Sequence, residues 1–223
     1  MGGSFIIKDV KQFKYLMKTI SYIVETDIQM KVVDATVFII TPQVNLKLNI
    51  YEAHGDDCVD LNIDLKHLLR HMRGFNNTDT LKIEYTYEEI KFILIKKRYT
   101  YTLANLIKDS ESINTTPTFP KNNYYEMKGK VIADIFKTVL QSDENKMSVS
   151  LSENQVIFRG CGISSSTEIF KTIDYSGMNK SIDYKIKKFH LTSDICKLHL
   201  GDNQMVVFIE NDMFRLYIKY KSI

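Results

Sequence analysis

The sequence predicts an α+β protein built from two similar domains, each with two helices packed on antiparallel β-sheet. Three observations carry this expectation. First, the order strand, helix, several strands, helix, several strands runs through the chain twice, with a period of roughly 120 residues, the signature of a duplicated module. Second, strand-like stretches alternate apolar and polar residues. Val44–Ile50 is the strictest case: Val44, Leu46, Leu48 and Ile50 point one way and Asn45, Lys47 and Asn49 the other. Third, residues 108–123 are polar, contain Pro117 and Pro120, and keep only Ile113 and Phe119 as large apolar residues, as an interdomain connector would. The expected domains are therefore residues 1–107 and 124–223, joined by 108–123. A chain of 223 residues, 44% of them hydrophobic, has enough apolar surface for two cores.

In chain order, Ser4–Lys8 reads as a short strand, and Asp9 as the N-cap of a helix, Val10–Val24, with Phe13, Leu16, Met17 and Ile20 on one face. Strands follow at Ile28–Val33, Thr36–Thr41, Val44–Tyr51 and Cys58–Ile63, with a turn at His54-Gly55-Asp56-Asp57. A second helix, Leu65–Arg73, starts after Asp64 and stops at Gly74, suitable caps at both ends. Strands at Thr80–Tyr85, Ile90–Lys96 and Tyr99–Ile107 complete the first half.

After the connector the pattern restarts with strand Tyr124–Lys128 and helix Val131–Leu140. Strands then come at Met147–Leu151, Val156–Gly160, Glu168–Ile173 and Ile182–Ile186. A further helix is expected at Leu191–Leu200, followed by strands Met205–Glu210 and Phe214–Tyr220. On this reading three strands follow the second helix of the first half and only two follow that of the second, so one strand is missing. Phe214–Tyr220 is then either the penultimate or the final strand.

Several functional classes are disfavoured. No apolar run approaches the roughly 18 residues of a membrane span, and Met1–Ser4 lacks the basic and apolar regions of a secretory signal, so a soluble intracellular chain without a membrane partner is expected. Cys58, Cys161 and Cys196 are odd in number and far apart, which fits small buried hydrophobes better than a disulfide framework or a CxxC metal site. His67 and His71 stand at i and i+4 with no Glu between them as in HExxH, so no metal is assigned. No cofactor is expected either, because nucleotide-binding glycine motifs and the GxSxG nucleophile motif are absent. The one polar constellation an enzyme could use is His54, Asp56, Asp57 and Cys58, which is more simply a turn.

The stretch KGKVIADIFKTVLQSDENKMSVSLSENQVIFRGCG, residues 128–162, joins a strand end, an amphipathic helix and a hairpin closing on Phe-x-Gly-x-Gly. With FKYLMKTISYIV and IDLKHLLRHMRG in the helix positions of the first half, the chain resembles the PCNA family of DNA polymerase sliding clamps over nearly its whole length. The resemblance implies two DNA-clamp domains, a non-enzymatic processivity factor encircling double-stranded DNA without reading its sequence, and a homotrimeric ring. It also implies a DNA polymerase and other replication and repair proteins as partners. The place implied is a nucleus or a viral or cytoplasmic replication site. A monomeric or dimeric processivity factor and a checkpoint-type clamp subunit share the fold and remain alternatives.

The helix faces agree with that implication. Lys11, Lys14 and Lys18 fall within roughly 60° of one another on a helical wheel, opposite Phe13 and Ile20. Lys66, Arg70 and Arg73 do the same against Leu68 and Met72. Lining a channel, these cations would meet phosphates, a contact blind to sequence. Lys130 and Lys137 share their face with Asp134, and Lys197 lies near Asp194, so the second half contributes less. The resemblance also implies a partner groove at Ile40, Gln43, Ile113, Phe119 and Pro120, with Tyr217 and Ile218 beside it if Phe214–Tyr220 is the final strand. It implies ring closure by pairing of Tyr99–Ile107 with a neighbour's Glu168–Ile173.

Overall fold

The computed structural model describes residues 2–25, 27–33, 36–50, 52–55, 59–104, 124–141, 145–152, 155–160, 163–168, 171–172, 181–187, 195–201 and 203–223. The chain divides into two compact units, Met1–Thr115 with Asp212–Phe214, and Thr116–Asn211 with Arg215–Ile223. The connector stretch 108–123 lies outside the described residues.

In the first unit the elements run β1 (Gly2–Ile7), α1 (Val10–Ile23), β2 (Ile28–Val33), β3 (Thr36–Ile40), β4 (Val44–Asn49), β5 (Ala53–Gly55), β6 (Val59–Ile63), α2 (Leu65–Met72), β7 (Leu81–Thr86), β8 (Glu89–Leu94) and β9 (Tyr99–Ala104). One sheet has the order β5-β1-β7-β8-β9, and a second group has the order β4-β3-β2-β6. The apolar faces of both helices are buried: Phe13, Leu16, Met17 and Ile20 from α1, Leu65, Leu68 and Met72 from α2. Alternation works as the sequence predicts, with Ile90, Phe92 and Leu94 of β8 buried at period two. The short strand β5 goes beyond the sequence pattern, which reads as a turn there because its residues are small or polar. It forms because Gly55 has φ +117° and lies against Gly3, where an added Cβ would stand 2.4 Å from the Gly3 Cα.

In the second unit the elements are β10 (Tyr125–Lys128), α3 (Gly129–Val139), β11 (Lys146–Ser152), β12 (Gln155–Gly160), β13 (Ile163–Glu168), β14 (Lys171–Thr172), β15 (Ser181–Lys185), β16 (Ile195–Leu200), β17 (Gln204–Glu210) and β18 (Phe214–Lys221). The pairings of the first unit recur. β10 takes the place of β1, bonded to β14 and β16 as β1 is to β5 and β7. β17 and β18 follow β16 as β8 and β9 follow β7. β11, β12, β13 and β15 repeat the pairings of β2, β3, β4 and β6. All are antiparallel, so the duplication extends to hydrogen-bond topology. The core here gathers Phe136 of α3 edge-on to Phe158 and Tyr220, at centroid distances of 6.3 and 5.6 Å.

Two sequence expectations are corrected. Where the sequence predicts helix at Leu191–Leu200, Ile195–Leu200 is strand β16; residues 191–194 lie outside the described set. Ile195 and Leu198 also satisfy helical spacing, but Cys196, Leu198 and Leu200 are buried at period two, and β10 and β17 bond to both edges. The second unit therefore has the three strands β16, β17 and β18 where the first has β7, β8 and β9, and β18 stands where β9 stands. The strand that seems missing in the sequence is the one its pattern presents as helix. Glu168–Ile173, expected as one strand, instead spans the end of β13 and all of β14, which lie in different sheets.

The N-caps hold as read: the Asp9 carboxylate accepts from Gln12 N at 2.8 Å and that of Asp64 from His67 N at 2.9 Å. Asp64→Ala should therefore cost about 0.5–2 kcal/mol in a denaturant melt. The His67 amide bond is the main reason the Asp64 carboxyl sits below its ordinary value of 3.8. A depressed carboxyl stabilises the fold above that value and stops doing so as pH falls through its folded pKa. The wild-type advantage over Asp64→Ala should be constant near neutrality and vanish in strong acid.

Candidate nucleic-acid interface

The two helices of the first unit are neighbours that bury their apolar residues and leave cations exposed. Lys11 and Lys18 of α1 are exposed, as are Lys66 and Arg70 of α2 and Arg73 at its C-cap. Neither helix contains an acidic residue. The acidic charge next to them is at the N-caps Asp9 and Asp64, where it meets the amide ends of the helices. Among the strand lysines of the same unit, Lys31 pairs with Asp60 at 3.9 Å, Lys82 with Glu84 at 2.7 Å and Lys91 with Glu89 at 2.5 Å, while Lys47 lies 5.9 Å from the centroid of the Phe38 ring. Among the described residues, Lys11, Lys18, Lys66, Arg70 and Arg73 have no ion-pair partner.

Between α1 and α2 runs a groove of about 610 Å³, lined by Lys11, Lys14, Lys18 and Arg73 together with Tyr15 and Tyr22. It brings the three α1 lysines onto one surface with Arg73, the C-cap of α2, which sequence spacing alone could not establish. Lys14 is partly committed, since its ammonium donates to the Phe75 carbonyl just beyond α2 at 2.8 Å. That bond ties the exit of α2 to α1 and leaves two of the three ammonium donors available.

The two histidines of α2 have structural neighbours. His67 Nδ1 lies 3.4 Å from the Asp64 carboxylate. His71 stacks on Tyr101 of β9, with centroids 3.4 Å apart and planes at 16°. Burial, with the nearby His67 and Arg70, holds the His71 pKa below its ordinary value. The stack fastens α2 to β9, a contact between residues 30 positions apart that no local pattern announces.

The second unit is less basic. On α3, Lys130 and Lys137 are exposed with Asp134 between them, so this stripe is partly neutralised. Lys197, predicted on a helix face, is instead on strand β16. Its ammonium lies 3.8 Å from Glu126 and over the rings of Tyr124 and Phe208, at 4.9 and 5.5 Å from their centroids. So engaged, Lys197 leaves the basic helix set.

Of the expected partner-site residues, Ile40 is buried at the end of β3 and Gln43 is half-buried in the turn that follows, closed by Thr41 N donating to Val44 O at 2.8 Å. Tyr217 lies on the outer face of β18, stacked on Phe208 at 4.4 Å. Ile218 is fully buried and faces the core, so it cannot border a surface groove, a correction dictated by strand alternation. Ile113, Phe119 and Pro120 lie outside the described residues, as do Asp56, Asp57, Cys58 and Cys161. His54 is exposed on β5. Cys196 is buried as expected, and desolvation pushes its thiol up to about 12.

The duplicated strand topology is that of a PCNA-like clamp fold. The crystal structure of Proliferating Cellular Nuclear Antigen from Entamoeba histolytica matches with a TM-score of 0.81 over 99% of this chain and 98% of that one. Identity between the two is 14%, so the likeness carries the fold. No protein-family model and no curated protein sequence matches the chain.

Proposed function

We propose that this chain is a subunit of a DNA sliding clamp, a tether rather than a catalyst, which holds duplex DNA by sequence-independent phosphate contacts and keeps replication proteins on it. The observation that carries the reading is the acid-free, unpaired cation surface of α1 and α2 on a clamp fold. A mobile tether needs attraction to phosphate without base readout, and lysine and arginine side chains on rigid helices supply it.

A homotrimer closed by edge pairing fits the sheet orders. β9 is the last strand of its sheet and β13 of another, so each has one edge unpaired within the chain among the described residues. Repeated head-to-tail pairing of two such edges gives a ring when the rotation closes. The expectation of Glu168–Ile173 as the partner edge is thus replaced by Ile163–Glu168.

Loaded on closed circular DNA, the protein should withstand moderate salt and be released when the circle is cut. Its solution mass should be three times the 26.0 kDa of one chain. Equal retention on linear and circular DNA would instead identify a monomeric or dimeric processivity factor.

A further inference from the structure

The turn between β8 and β9 carries three consecutive cations, Lys96, Lys97 and Arg98, that belong to no helix face. All three are exposed, and so are the apolar residues on either side, Ile95 at 46% and Tyr99 at 49%.

This turn is also held in place. The side chain of Asp79 is buried, and its Oδ1 accepts from Thr80 N at 2.7 Å and from Lys96 N at 2.9 Å. The Lys96 ammonium donates to the Thr78 carbonyl at 2.7 Å. Thr78 and Asp79 lie just ahead of β7, so both bonds fasten the turn to the segment that enters that strand. Arg98 has φ 51°, a left-handed conformation that an L-residue adopts at some cost. Among the described residues neither has an ion-pair partner. The first unit thus carries, besides Lys66, Arg70 and Arg73, a second group of exposed cations on an anchored turn.

We infer that the β8–β9 turn is a further phosphate-contacting element, in which Lys97 and Arg98 meet the backbone of the same duplex that the helices hold. The inference rests on the clamp reading above and extends its DNA contact beyond the helices. Charge complementarity selects a polyanion, and the anchoring explains how a turn keeps the fixed position that a sliding contact requires.

The test is the affinity of the full chain for linear duplex DNA, measured by fluorescence anisotropy across a salt series with no other protein present. Lys97→Glu with Arg98→Glu should flatten the plot of log K against log[salt] by about 0.9 for each phosphate no longer neutralised. Lys97→Gln with Arg98→Gln should do the same, while Arg215→Glu, on a strand of the second unit, should leave the slope unchanged. Circular dichroism melts should match wild type, since both side chains are exposed.

An unaltered slope in the turn variants, with a steep slope in wild type, would overturn this inference and leave the clamp reading standing. A wild-type chain with no salt-dependent binding to linear duplex would overturn this inference too, since the turn then meets no phosphate, and would leave the clamp reading to the comparison of circular with linear DNA. If the variants change the solution mass instead of the slope, the turn belongs to an interface between copies of the chain, and the inference fails.

Discussion

Reversing charge at Lys11, Lys18, Lys66 and Arg70 together should abolish stimulation of a DNA polymerase while leaving thermal unfolding nearly unchanged. The four side chains are exposed and make no ion pair among the described residues, so little native structure depends on them. Exposed substitutions of this kind usually move stability by no more than about 0.5 kcal/mol each. Their effect on DNA should be large, because each phosphate contact contributes about 0.9 to the salt slope and four are removed from every subunit. Lys14 is left out deliberately: its bond to the Phe75 carbonyl gives it a structural part, and a variant there would mix folding with binding. The measurements are primer extension with and without the protein and a melt of each variant. Undiminished stimulation would remove the inner-wall role from α1 and α2.

Phe136→Ala should be the most destabilising single change in the second unit, costing about 3–5 kcal/mol. Phe136 is fully buried between Phe158 and Tyr220, and truncation leaves a cavity that these large rings cannot collapse into. Lys137→Ala, on the exposed side of the same helix, should stay within about 0.5 kcal/mol of wild type. Chemical denaturation of the pair checks both figures. Similar midpoints would mean that the α3 face is not the organising element of this core.

Much of the fold is legible in one dimension because it rests on local periodicity. The helices α1, α2 and α3 follow from 3.6-residue patterning, and the caps at Asp9 and Asp64 from side chains that bond amides three residues on. Ile195–Leu200 shows where that stops. Its apolar positions satisfy two periods at once, and only the hydrogen bonds offered by β10 and β17 settle it as strand. This one ambiguity accounts for both the missing strand and the misplaced Lys197.

The candidate site divides the same way. Spacing alone puts Lys11, Lys18, Lys66, Arg70 and Arg73 on exposed faces, since a cation opposite a buried stripe must face water. It does not show that the α1 lysines share a groove with Arg73, that Lys14 is committed partly to Phe75, or that Ile218 is buried.

What the sequence determined by itself, then, is the duplicated α+β architecture and the basic character of the first two helices, because both are written in spacings of a few residues. The tertiary structure alone decided which strand fills the place that reads as helix, how His71 fastens α2 to β9, and how Asp79 mounts the cations of the β8–β9 turn. Those outcomes join residues far apart in the chain, where hydrogen-bond satisfaction and packing, rather than local propensity, choose among conformations.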